Sequence, residues 1–279
     1  MPAPLLERAA TSLRLRALDL RDRVAGRGDP LVPPRRLHFV GHADSDFAGT
    51  GDEFLGHFVE LGGLTSGDRV LDVGCGIGRM ARPLAGFLDA AAGGAYDGFD
   101  VNREGIDWCR ARYEAAGHPE FAFVVADIFN TRYNPAGRQA AAEFTFPYAD
   151  ETFGFALATS VFTHLVEDAA ARYVAEAARV LRGGGTLFAT WLLLDDASRE
   201  AVRAGRAALP FELGSGDEVS AVIDPAVPED AIAFDRGWLQ DAYARNGLTI
   251  TAIHEGTWRG GVGPTYQDIV VATKGTPTT

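Results

Sequence analysis

The stretch VLDVGCGIG at residues 70–78 constrains this chain more than any other. Val70, Leu71 and Val73 form an apolar run suited to a strand covered on both faces, with an acid, Asp72, two residues before the first glycine. Gly74, Gly76 and Gly78 then recur at every second position, which lets the backbone turn sharply and approach a ligand where a Cβ would clash. Met80, Leu84, Phe87 and Leu88 follow at helical spacing, so the loop opens onto a helix N-terminus. Strand, glycine loop and helix in this order make the entry unit of the dinucleotide-type α/β fold. The spacing is G-x-G-x-G, not the G-x-G-x-x-G that seats a pyrophosphate on the helix end, and a carboxylate aimed at the loop favours a cation over phosphates.

Two further acids extend the pattern. YDGFDV at 96–101 predicts a second strand whose tip, Asp100, can accept hydrogen bonds from both ribose hydroxyls, with Asp97 as the competing acid earlier in the run. FAFVVA at 121–126 predicts a third strand, and Asp127 follows it. Asp72, Asp100 and Asp127 are thus expected at three successive strand ends, the edge of an open α/β sheet where ligands bind.

These ordered motifs resemble the class I S-adenosylmethionine-dependent methyltransferases of the small-molecule type. VLDVGCGIGR is similar to the family's first motif, GFDVN to its ribose-binding acid, VVADIF to its adenine-binding segment, and FPYADETFGFALATSVFTHL to its fourth-strand region, and the likeness runs from residue 39 to 191. The resemblance implies a doubly wound, Rossmann-like α/β sheet of seven strands, mostly parallel with an antiparallel last strand, and S-adenosylmethionine as cofactor. It also implies that Gly74, Gly76 and Gly78 contact the cofactor through backbone, that Asp72 lies near the methionine amine, and that Asp100 with Val101 holds the ribose. Asp127 and the backbone of Ile128 would hold the adenine, Ser160 and Val161 would face the methionine end, and Phe39 and Gly41 resemble the segment that closes over it. A sulfonium and an ammonium without phosphate suit an acidic rim.

Charge bounds the partners. Thirty-eight acids against 26 bases give a net charge of −12, which argues against nucleic acid and favours a small-molecule acceptor. A chain of 279 residues, 47% of them hydrophobic, can fill a real core, and no run of 18 apolar residues predicts a membrane span. Cys75 and Cys109 make no disulfide framework and point to a reducing, cytoplasmic setting. Cys75 reads better as a small residue filling a tight loop than as a nucleophile. His38, His42, His57, His118 and His254 lack metal-ligand spacing, so no metal is expected.

Residues 1–36 differ from the rest, with eight arginines against four acids and an apolar stripe of Leu6, Ala9, Leu13, Ala17, Leu20 and Val24. The stripe predicts an amphipathic helix docked on the acidic body, as a lid or in a homodimer, and Glu7, Asp19 and Asp22 set it apart from a transit peptide. After the linker GDPLVPP, residues 37–279 are expected to form the methyltransferase domain. Helices are predicted over 52–61, 103–116 and 166–181, and RVLRGGGTLFATW at 179–191 resembles the helix, turn and fifth strand of the same family fold. The stretches 129–146 and 209–234 are longer than short connections require; they read either as walls of the acceptor pocket or as solvent loops.

Methyl transfer is an in-line displacement, so positioning should dominate, and an acceptor that must lose a proton calls for a base at the strand edge. His164 in SVFTHL is the best placed, with a general-base role and an acceptor-lining or structural role both open. Trp258, Arg259, Tyr266, Gln267 and Asp268, just before a strand expected at 269–272, read as pocket wall or as a buried turn. The activity expected is transfer to a hydroxyl oxygen of a small molecule. A nitrogen acceptor, an NAD-dependent oxidoreductase on a similar fold, and a catalytically silent cofactor-binding subunit are the alternatives.

Overall fold

A computed structural model describes residues 14–15, 17–21, 24, 28–38, 46–131, 133–215 and 218–276. The first strand, β1 (Arg69–Val73), pairs in parallel with β2 (Ala95–Asp100) on one side and β4 (Phe153–Ala158) on the other. β3 (Phe121–Val125) continues the parallel ladder beyond β2, and β5 (Leu181–Trp191) continues it beyond β4. The last strand, β10 (Asp268–Lys274), runs antiparallel between β5 and β9 (Leu248–His254). Among the described residues the main sheet therefore has seven strands in the order β3-β2-β1-β4-β5-β10-β9, the doubly wound architecture with an antiparallel last strand.

Strand order reverses between β1 and β4, so the chain leaves the sheet in opposite directions there and opens a crevice at the carboxyl ends. Helices cover both faces. Leu71 and Val73 belong to the core under α4 (Glu167–Val180) and α6 (Arg236–Arg245). Val70 belongs to the opposite core, with residues of α1 (Phe47–Glu60), α2 (Ala81–Phe87) and α3 (Arg103–Ala115). The two-residue period of a strand divides the apolar run between these layers.

Three features depart from expectation. No turn separates α4 from the fifth strand: β5 begins at Leu181 and takes in the glycines of LRGGG, with Gly184 at φ +79° and a register shift opposite residues 153–155. The stretch 209–234 is not merely loop, because it supplies β7 (Ser220–Val222) and most of β8 (Ile232–Asp235), which form a small sheet with β6 (Leu193–Leu194) beside α5 (Asp196–Arg203). Residues 14, 15, 17–21 and 24 are helical, but Leu20 and Val24 are 62% and 80% exposed, so these two stripe residues do not dock on the body of this chain. Leu6, Ala9 and Leu13 lie outside the described residues.

The C-terminal cluster is a buried latch. Asp268 accepts hydrogen bonds from the backbone N–H groups of Gly256 (2.7 Å) and Leu193 (2.8 Å) and from the Trp258 indole (2.8 Å). Arg259 pairs with Asp195 at 2.9 Å, and both Trp258 and Arg259 are buried. A carboxylate this enclosed is tolerated because three donors and a nearby guanidinium replace its water.

Candidate active site

The crevice at the switch point holds a cavity of about 220 Å³. Its floor is the glycine loop. Gly74, Gly76 and Gly78 have φ of +74°, +59° and +81°, in the left-handed region that glycine enters without penalty. The N–H groups of Gly74 and Cys75 both donate to the Phe99 carbonyl, at 2.9 and 3.0 Å, which ties the loop to β2. Asp100 then grips it from the side: one carboxylate oxygen accepts from Gly76 N (2.8 Å) and the other from Asn102 N (2.7 Å). Asn102 in turn caps α3 by accepting from Gly105 N.

The facing wall follows β4. Ser160 has φ +57°, a strained backbone for a serine, held by its N–H to Thr190 Oγ1 (2.8 Å) and its hydroxyl to Gln267 Oε1 (3.2 Å). Thr190 donates to the same Gln267 oxygen at 2.6 Å, so a residue just before β10 braces a turn more than a hundred positions earlier. Val161 closes the gap to the loop: a Cβ on Gly74 would lie 2.6 Å from Val161 Cγ2. Gly74→Ala should therefore destabilise the protein by about 1–3 kcal/mol and weaken cofactor binding. Gly86→Ala, in α2 with open space around it, should be neutral or stabilising. Thermal unfolding of the pair checks this, and equal effects at the two positions would overturn it.

Of the residues singled out from sequence, Gly74, Gly76, Asp100, Val101, Ile128, Ser160, Val161 and His164 line the cavity. Gly78 does not; its backbone turns into α2, and a Cβ there would crowd Cys109 and Tyr113. Asp72 stands apart from the cavity lining. Strand alternation puts it on the face of Val70, beneath α3, where it is 1% exposed and does not border the cavity. Tyr96 donates its hydroxyl to Asp72 Oδ2 at 2.7 Å, and Oδ1 has no hydrogen-bond partner among the described residues. Burial pushes the Asp72 carboxyl up to about 7, against the pull of the Tyr96 hydrogen bond and with a further push from Asp100.

Asp127 also stands apart. It stands off the cavity, half exposed, with its carboxylate 2.5 Å from Arg138 Nε, and that hydrogen bond holds its pKa below the usual range. The partner comes from the stretch 129–146, which also folds back so that the N–H of Gln139 reaches the Asp127 carbonyl. Phe39 and Gly41 lie outside the described residues.

Residues with no motif complete the walls. Phe129, Asn130 and Tyr133 come from the first long stretch and Glu229 from the second; Phe54, Arg79 and Tyr173 come from helices or their approaches. His164 ends the 3₁₀ turn Phe162–His164; its Nδ1 lies 2.8 Å from the Glu229 carbonyl oxygen, and the Tyr133 ring meets it edge-on at 6.1 Å. Among the described residues no group of three or more His, Cys, Asp or Glu could hold a metal, and no helix is long and apolar enough to cross a membrane.

Residues 71–189 match the family model described as a methyltransferase domain. That region takes in the glycine loop, Asp100, Ser160 and His164. The glycine loop fits S-adenosylmethionine, since an added Cβ at Gly74 would intrude where the loop meets Val161 and the acid beside the loop is Asp100. The chain is 35% identical over 128 residues to a phthiotriol/phenolphthiotriol dimycocerosates methyltransferase of Mycobacterium ulcerans, covering 45% of this chain and 38% of that protein. It is 32% identical over 190 residues to a fatty-acid O-methyltransferase of Mycolicibacterium smegmatis, covering 62% and 59%. A crystal structure of the Burkholderia thailandensis 1,6-didemethyltoxoflavin-N1-methyltransferase superposes with a TM-score of 0.52 at 17% identity, over 99% of this chain and 93% of that one, a likeness of fold. The chain spans less than two thirds of the length of these curated methyltransferases.

Proposed function

We propose that this protein transfers a methyl group from S-adenosylmethionine to an oxygen, most simply a hydroxyl, of a small-molecule acceptor. The observation that carries the reading is one continuous cavity: it has the glycine loop and Asp100 on its walls together with His164, Tyr133 and Glu229. The fatty-acid O-methyltransferase among the relatives supports oxygen over nitrogen. The net charge of −12 supports a small acceptor over nucleic acid, and the exposed Leu20 and Val24 support a homodimer through the N-terminal helix.

In this reading the bound cofactor supplies an electrophilic methyl on a sulfonium leaving group. The residues of the chain position and deprotonate. Asp100 and Val101 would hold the ribose, Ile128 the adenine, and the Ser160–Val161 turn the methionine end. His164 would take the proton from the acceptor hydroxyl.

Calorimetry with S-adenosylhomocysteine and with NAD tests the cofactor assignment; binding of NAD alone would sink it. Asp100→Ala removes two backbone hydrogen bonds that shape the loop as well as the ribose contact. S-adenosylhomocysteine should then bind weaker by about 1–3 kcal/mol, roughly five- to 150-fold in Kd. Unchanged affinity would reject Asp100 as the ribose acid.

A further inference from the structure

The contact between His164 and Glu229 has a fixed direction. A carbonyl oxygen only accepts, so the short Nδ1 contact to the Glu229 carbonyl places the ring hydrogen on Nδ1, and the neutral imidazole then presents Nε2 as its acceptor atom. Both sides of the contact hang on one indole. Phe162, two residues before His164, stacks on Trp191 with ring centroids 3.9 Å apart and planes 13° from parallel. Phe234, in the strand that follows Glu229, meets the same Trp191 edge-on at 5.4 Å. Trp191, Phe162 and Phe234 are fully buried. Between them, Glu229 sits in the 3₁₀ turn Pro228–Asp230, whose proline sets the first φ and whose Asp230 N–H closes on the Val227 carbonyl at 3.0 Å.

The Glu229 side chain reaches the other long stretch. Its Oε2 accepts from the backbone N–H of Thr131 at 3.3 Å, two residues before the Tyr133 ring that flanks His164. One residue thus touches the candidate base through its backbone and the stretch 129–146 through its carboxylate.

We propose that Glu229 is a positioning residue: its carbonyl sets the tautomer of His164, so that Nε2 is the proton-accepting atom, and its carboxylate clasps the two long stretches together at the acceptor end of the cavity. The proposal rests on the methyl-transfer reading with His164 as base. It gives the stretch 209–234 a task in the chemistry, since the small sheet it builds with β6 becomes the mount on which the Glu229 turn is fixed.

Nitrogen-15 NMR of the full chain labelled in histidine tests the tautomer, with the His164 signals assigned by their loss in His164→Asn. Above neutral pH the unchanged protein should show His164 with Nδ1 protonated and Nε2 unprotonated; an Nε2-protonated ring would overturn the proposal. In E229A the Thr131 amide should exchange with solvent roughly three- to tenfold faster, while the His164 tautomer, set by a backbone carbonyl that alanine keeps, should stay Nδ1-protonated. In E229Q, whose amide oxygen still accepts from Thr131, both signals should stay as in the parent. Identical behaviour of E229A and E229Q would overturn the clasp. Calorimetry with S-adenosylhomocysteine separates the two readings: its failure to bind the unchanged protein would count against the methyltransferase site, and the NMR result would still decide where the His164 proton lies.

Discussion

Replacing His164 by alanine is expected to cut turnover by about 10²–10⁴-fold while S-adenosylhomocysteine affinity stays within about twofold of the parent. The asymmetry follows from the geometry. His164 borders the cavity beside Tyr133 and Glu229, whereas the loop contacts of Asp100 and the Ser160 brace involve none of its atoms. Release of S-adenosylhomocysteine in an acceptor screen, followed across pH, is the measurement. With the parent, activity should fall on the acid side as His164 takes up a proton, and this limb should vanish in the residual activity of the variant. Normal turnover of the variant at all pH values would remove His164 from the base role and favour an acceptor that arrives already deprotonated, such as a neutral amine.

Asp72→Asn should stabilise the protein at pH 8 by up to about 4 kcal/mol. The carboxyl ionises near 3.8 in the unfolded chain but near 7 when folded, because burial disfavours the charge more than the Tyr96 hydroxyl favours it. Between those values the folded protein keeps a proton that the unfolded chain has released. Stability therefore falls as pH rises from about 4 to 7, by about 1.4 kcal/mol per unit. Asparagine offers Tyr96 the same acceptor and has no charge to bury. Urea unfolding at pH 5 and pH 8 checks the slope: the parent should lose more stability across this interval than the variant, which keeps only the smaller slope of its other buried carboxyls. A parent as flat as the variant would mean that Asp72 ionises normally inside the fold.

Sheet order and loop position were legible because they rest on signals that survive without tertiary context. Glycines at every second position permit left-handed backbone, which Gly74, Gly76 and Gly78 all adopt, and the acid at the tip of the next strand, Asp100, grips Gly76 from the end of β2. The burial of Asp72 was not legible, because nearness along the chain to the loop does not say which face of the strand an acid takes. The Asp127 partner was not legible either, because Arg138 belongs to a stretch with no periodic pattern. β6 and β7 have two and three residues, too few for alternation to register, so the small sheet and its Glu229 turn had no sequence signature. The glycines after α4 read as a stop, yet a strand can absorb them as an irregularity where a neighbour holds both ends.

The position of β10 bears on how the molecule comes into being. A ribosome delivers the glycine loop, the Asp100 grip and the Ser160 turn long before Gln267 and β10 exist. Until that segment emerges, β5 has an open edge and β9 has no neighbour in the main sheet, because among the described residues β10 is the one strand that pairs with β9 there. A nascent chain therefore carries a nearly complete cofactor loop beside an unzipped flank, and the last strand is threaded between two waiting ones rather than added outside them. Synthesis and the acquisition of a binding-competent site are coupled to the same closing step, which makes the exposed edge of β5 the stretch most in need of protection while the chain is unfinished.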